Sequence, residues 1–192
     1  MPPLPRARPA RTREHLQSQF RDIAARASAL REQFDAAAFA RRPQPASWSA
    51  AECLVHLSMS ADPYFPMWRD AIEQSAGSGQ TPRESYRLDF WGWVLVWTLE
   101  QPPRFRVATK NPFEPVNAGP IDEVLPAFLE RQQRILQTIE DSRRVALDAI
   151  RITSPFARRI RYSMWSSLCV TAAHERRHLG QAERALGRAR SG

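Results

Sequence analysis

Near its start the chain places apolar residues at steps of four and three without a break: Leu16, Phe20, Ile23, Ala27, Leu30, Phe34 and Ala37. Only an α-helix gathers such positions into one stripe, and this alternation is the seam of a helix packed in a left-handed bundle. The pattern predicts a first helix over residues 13–40, ended by Pro43 and Pro45. The same alternation returns at Ile121, Leu125, Phe128, Gln132, Ile135 and Ile139 and predicts another helix over 121–142, with Asp122 and Glu123 suiting its positive end.

Two further helices follow from start and stop signals. Ser49 with Glu52 three residues on is a capping box; Trp48 before it and Cys53 after it can form an apolar staple. This second helix runs through Leu54, His56, Leu57 and Met59, is kinked or ended by Pro63 and Pro66, and reaches Ser75 in a further turn or two. The last helix is expected over 161–186, with Gly187 as its stop. Between them, residues 80–119 form a long irregular connection containing a short helix over 84–100, stopped by Pro102 and Pro103, and an extended or looped stretch over 105–115. So long a connection usually serves a site or covers something. Residues 143–160 read as a linker, and no strand pattern stands out. The fold class is all-α, a four-helix bundle. Residues 13–187 form one domain, with tails at 1–12 and 188–192 expected to be disordered.

The net charge of +8 invites a nucleic-acid reading, but its location argues against one. Arg6, Arg8, Arg11 and Arg13 crowd the start and Arg184, Arg188 and Arg190 the end; without them the body carries only +1. Basic tails, not a basic face on an ordered element, explain the charge. The longest apolar run, Leu88 to Leu99, is interrupted by Asp89 and too short to span a membrane, and the first residues lack a signal-peptide core. Cys53 and Cys169 make no disulfide framework, so a cytoplasmic setting is expected.

His174 and His178 lie one turn apart on the last helix and share a face. His56 sits on the second helix behind the capping box. If the two helices pack together, three imidazoles converge on one divalent ion and leave coordination positions open, the pattern of a catalytic site. Small residues flank them: Ser167 and Thr171 on one helix, Cys53 and Ser60 on the other. A structural seam would fill that space with Leu or Ile, so a cavity is expected there, with Gln181 as a supporting partner. Zinc and nickel suit imidazole best, with manganese or iron as alternatives.

Blander readings weigh on each residue. A lone histidine is usually a satisfied core or surface group. His15 lies off the seam and is expected in solvent. Cys53 can be a ligand but is more often small core filling, as is Cys169. Glu52 belongs to its cap. Glu175 completes the letters H-E-x-x-H of a zinc protease, but no histidine follows His178 as a third ligand, and a +1 residue points about 100° away on an ideal helix. Trp91 and Trp93 are expected as core or pocket wall.

Together, Trp48-Ser49-Ala50-Ala51-Glu52-Cys53-Leu54-Val55-His56-Leu57 and His174-Glu175-Arg176-Arg177-His178-Leu179-Gly180-Gln181 resemble the DinB-like superfamily, whose patterns are W-S-x-x-E-x-x-x-H-L and H-x-x-x-H-x-x-Q. The resemblance covers residues 13–186. It implies an up-down-down-up four-helix bundle, often a homodimer, with the metal on His56, His174 and His178. It also implies kinship with thiol-dependent S-transferases and a maleylpyruvate isomerase, so that the partners are a small-molecule substrate and a low-molecular-weight thiol rather than a membrane or a specific nucleic acid. In such a transferase Phe90 to Trp97 would wall the electrophile pocket, and an arginine would hold a carboxylate of the thiol. Metal-dependent hydrolysis and a non-catalytic, stress-associated metal-binding protein are the alternative readings.

Overall fold

The computed structural model describes residues 9–189 apart from 76, 78, 101–112 and 116. The fold is mainly helical, with one small hairpin. The first seam forms α1, Arg13–Gln33, capped by Thr12, and buries Leu16, Phe20, Ile23 and Ala27. It ends earlier than the seam predicts. Phe34 adopts extended backbone, and Asp35 starts a separate helix, α2 (Ala36–Ala40), by accepting the N–H of Ala38. An aspartate that can cap wins over continued periodicity.

The capping box at Ser49 and Glu52 forms as expected and opens α3, Ala50–Ala61. Arg42 also reaches the Glu52 carboxylate, holding it below the usual carboxylate range against the upward push of burial. Pro63 separates α3 from α4, Tyr64–Ser75. The short helix of the connection, α5 (Phe90–Leu99), starts at Asp89 rather than at residue 84, because the Asp89 carboxylate accepts the N–H of Gly92. The extended or looped stretch expected over 105–115 falls mostly outside the described residues.

The second seam forms α6, Ile121–Asp141, and every seam residue is buried. A 3-10 turn, Ser142–Arg144, follows. Residues 143–160 are not a plain linker: β1 (Arg151–Thr153) and β2 (Arg161–Ser163) pair antiparallel, Ile152 opposite Tyr162. Asp89 pins this hairpin to α5, taking hydrogen bonds from the Ser163 backbone and the Arg151 guanidinium. The last helix, α7, therefore starts at Met164, where the Ser163 hydroxyl accepts the N–H of Ser166, and it runs through Gly187 to Ala189. Gly187 is not a stop. Residues 1–8 and 190–192 of the expected tails lie outside the described residues, while Ala10 is already buried.

Four of the helices touch in a closed cycle: α1 with α6, α6 with α3, α3 with α7, and α7 with α1. Helix α5 lies against α7 so closely that a Cβ on Gly92 would clash with the Ser166 side chain. No described helix is long and apolar enough to cross a membrane.

Candidate metal centre

The packing of α3 on α7 brings His56, His174 and His178 together, with one nitrogen of each ring within 4.8 Å of the others. His56 and His178 are almost fully buried. The ring centres of His178 stand 4.5 Å from His56 and 4.6 Å from His174. The Nε2 atoms of His56 and His174 are 3.2 Å apart.

Neighbours set the tautomers. The His56 Nδ1–H donates to the Phe113 carbonyl at 2.7 Å, and the His178 Nδ1–H donates to the Gln181 side-chain oxygen at 3.1 Å. Each bond leaves the ring's Nε2 as a bare lone pair and fixes the ring's orientation, the usual arrangement behind a metal-ligating imidazole. Burial lowers all three histidines, joined by the neighbouring rings at two of them: His174 falls to about 3 and His178 well below its ordinary value, while His56 is lowered by desolvation against the opposing Phe113 hydrogen bond. They are neutral at pH 7 and have no proton to shed before binding an ion.

The donor set fits a divalent ion. The bare Nε2 of His56 faces the Nε2 of His174 at 3.2 Å, a spacing that either a proton on His174 or a cation between the rings can fill. In a tetrahedral zinc site with bonds of about 2.0–2.1 Å, ligand nitrogens stand about 3.3 Å apart, so the first pair already has the required spacing. Among the described residues this is the group of histidines, cysteines and carboxylates that could hold an ion.

Beside the histidines lies a cavity of about 570 Å³. Leu57, Ser60 and Ala61 of α3, Tyr64 of α4, Leu95 and Leu99 of α5, the hairpin and Val170 and Thr171 of α7 line it. The space expected beside the histidine pair is present, but not in full. Thr171 borders it, whereas the Ser167 hydroxyl accepts the indole N–H of Trp68 at 2.8 Å, so a tryptophan from α4 fills that half. Ser60 borders the cavity as expected.

The other singled-out residues divide. Gln181 is the hydrogen-bond partner of His178. Cys53 and Cys169 are buried among apolar neighbours, and burial pushes both thiols up to about 12; neither borders the cavity. Trp91 and Trp93 correct the expectation most clearly. They are 41% and 55% exposed and do not line the cavity. Helix α5 faces it with Leu95 and Leu99 instead. The aromatic wall comes from Tyr64, Phe113, Phe156 and Tyr162, which the spacing of the chain did not mark. Trp48, expected as a staple, tilts over the rings of His56 at 4.8 Å and His178 at 5.7 Å.

Glu175 also borders the cavity, so the 100° offset does not remove it from the site. Its Oε1 accepts from the Gln132 amide at 3.0 Å, and its Oε2 has no partner among the described residues. Burial pushes the carboxyl up to about 8, which keeps it protonated at neutral pH.

No curated protein and no solved structure matches the chain. The family model of the DinB superfamily matches residues 19–182, which span α1 to α7 and all three histidines. On that match, and with the histidines meeting where the family's two motifs cross, this chain belongs to the DinB superfamily.

Proposed function

We propose that this protein is a divalent-metal enzyme that transfers a low-molecular-weight thiol to a small electrophile. One observation carries the reading: three neutral imidazoles converge on the wall of a cavity large enough for a small molecule. His56, His174 and His178 are the ligands of that reading, with zinc or nickel the favoured ion and manganese or iron the alternatives. An ion held there supplies Lewis acidity and lowers the pKa of a thiol brought to it. The chain's own groups do the rest. The Phe113 carbonyl and Gln181 keep two rings aimed inward. The walls of Leu95, Leu99, Phe113 and Phe156 exclude water and hold the electrophile.

The cycle of contacts among α1, α6, α3 and α7 supports the up-down-down-up four-helix bundle that the family implies. The exposed Phe90, Trp91, Trp93 and Trp97 of α5 offer apolar area for a homodimer, which light scattering on purified protein checks. The two free, buried cysteines agree with a reducing, cytoplasmic setting.

The test is metal analysis with a thiol-dependent assay. Wild-type protein is expected to hold about one ion per chain and His174→Ala almost none, and conjugation of an electrophile such as 1-chloro-2,4-dinitrobenzene is expected to need both metal and thiol. Protein that takes up none of zinc, nickel or manganese overturns the reading. Metal-dependent turnover of esters or amides without thiol would favour hydrolysis instead, a reading supported by Glu175 on the cavity wall. An ion bound without any turnover would mark a non-catalytic metal-binding protein.

A further inference from the structure

His56, Ser60 and Tyr64 follow one another at intervals of four residues, and all three border the cavity. They form a polar ladder leading away from the histidines across the junction of α3 and α4. Ser60 is 3% exposed, and its hydroxyl has no partner among the described residues. A buried serine hydroxyl is normally bonded, most simply to a carbonyl of its own helix, so one left free on a cavity wall is a donor and acceptor held for a guest. Tyr64 meets Tyr162 hydroxyl to hydroxyl at 2.5 Å. Tyr162 is fully buried and also hydrogen-bonded to Ser154, so that pair is closed and Ser60 is the rung left open. Around this ladder the surface is apolar and aromatic: Leu57, Ala61, Leu95, Leu99, Phe113 and Phe156. None of the described lining residues is Lys or Arg, so the expected arginine for a carboxylate is not among them.

We infer that the cavity takes an uncharged, ring-sized apolar molecule bearing a hydroxyl or carbonyl oxygen, held through that oxygen by Ser60. This deepens the proposed function by naming the chemical class of the molecule beside the histidines, and it rests on that reading only for the claim that this molecule reacts. An anion placed here would lose its water with no described cation to replace it, a cost far above that of a neutral ring. A ring without oxygen would leave Ser60 as it is.

Three probes of nearly one shape separate these cases: naphthalene, 2-naphthol and 2-naphthoate. Their binding is measured by fluorescence or calorimetry on the full chain after chelation of metal, so that no ion attracts the carboxylate. The expected order is 2-naphthol tightest, naphthalene about 3- to 10-fold weaker for the lost hydrogen bond, and 2-naphthoate at least about 100-fold weaker. Ser60→Ala is expected to remove the advantage of 2-naphthol over naphthalene while leaving naphthalene unchanged, which also shows that the variant folds. Leu95→Trp fills the cavity and is expected to abolish binding of all three, which excludes the exposed face of α5 as their site. Tighter binding of 2-naphthoate than of 2-naphthol overturns the inference. So does an unchanged preference in Ser60→Ala, or retained binding in Leu95→Trp. Because no metal or thiol is present, these outcomes are independent of the metal content and thiol-dependent turnover that test the proposed function.

Discussion

A single turn of α7 holds two kinds of buried polar group. His174 and His178 face each other and His56 across the cavity wall with no charge among them. Between them in sequence, Arg176 points the other way and is fully answered. Its Nε and Nη2 take both oxygens of Glu100 at 3.0 and 2.6 Å, and Nη1 donates to Gln19 at 2.9 Å. The side chains of this pair are 10% and 5% exposed. The first cluster is polar, buried and incompletely partnered; the second is polar, buried and closed. Buried polar groups that satisfy one another hold elements together, here the end of α5 on α7 and α1. Groups that do not are places where something else binds.

The comparison breaks most visibly if Arg176 proves dispensable. Arg176→Ala strands the Glu100 carboxylate in the interior, and removing one partner of a buried pair costs about 3–5 kcal/mol. The melting temperature is expected to fall by about 10 °C. The double variant Arg176→Met, Glu100→Leu is expected to recover much of it, because the stranded charge is gone. A thermal melt of the three proteins gives the answer, and an unchanged Arg176→Ala would show that the pair is not closed.

The histidines predict the reverse pattern. Without metal, His174→Ala is expected to change stability by no more than about 1 kcal/mol, since no charge is stranded. With zinc at about 100 times its dissociation constant the wild type gains about 2.7 kcal/mol, or about 5–10 °C, and His174→Ala gains none. The low pKa values add a pH signature. Free imidazole is protonated below its ordinary 6.5, whereas these rings stay neutral to lower pH, so zinc is expected to remain bound at pH 5.5. Metal content after dialysis at that pH tests it.

Glu175 stands between the two kinds, adjacent in sequence to both and half-partnered by Gln132. Its folded pKa of about 8 lies above its ordinary 4.5. A raised pKa means stability that is present below pH 4.5 and lost as the pH climbs towards 8, because the unfolded chain ionises first. The histidines work in the opposite sense: their lowered values cost stability as the pH falls below 6.5. They are common to both proteins, so the difference between wild type and Glu175→Gln isolates the glutamate. That difference is expected to be near zero at pH 4.5 and to grow to about 5 °C in favour of the variant at pH 8. A difference that does not vary with pH would show that burial does not hold this carboxyl protonated.

How far these two clusters could be read from the sequence follows from the range of the signals. The histidine cluster was legible because two of its members share a helix face and the third sits behind a capping box, both local patterns. Gln181 was legible for the same reason, three residues beyond His178. The partner of His56 was not, because Phe113 contributes a backbone carbonyl, which any residue carries. The Arg176–Glu100 pair joins residues 76 apart and leaves no periodic trace. Strands of three residues are too short to show alternation, so the hairpin that starts α7 was invisible. The break after Gln33 did have a signal, the capping Asp35, which the unbroken seam outweighed.

Helix α5 sets the limit of such reading and gives the smallest expected effect. Its sequence, Phe90-Trp91-Gly92-Trp93-Val94-Leu95-Val96-Trp97-Thr98-Leu99, is apolar all round, so periodicity cannot say which side faces inward. Size suggested the tryptophans; the close approach at Gly92 decides otherwise, because the side lacking a Cβ is the one that meets Ser166 of α7. Val96, four residues on, is buried on that side, while Trp93 is left 55% exposed. Trp93→Ser is therefore expected to leave metal content and turnover unaltered, any effect being confined to the proposed homodimer contact. Leu95→Ser, two residues along and on the cavity wall, is expected to depress turnover instead. Equal effects of the two substitutions in one assay would mean that the outer face of α5 belongs to the site after all.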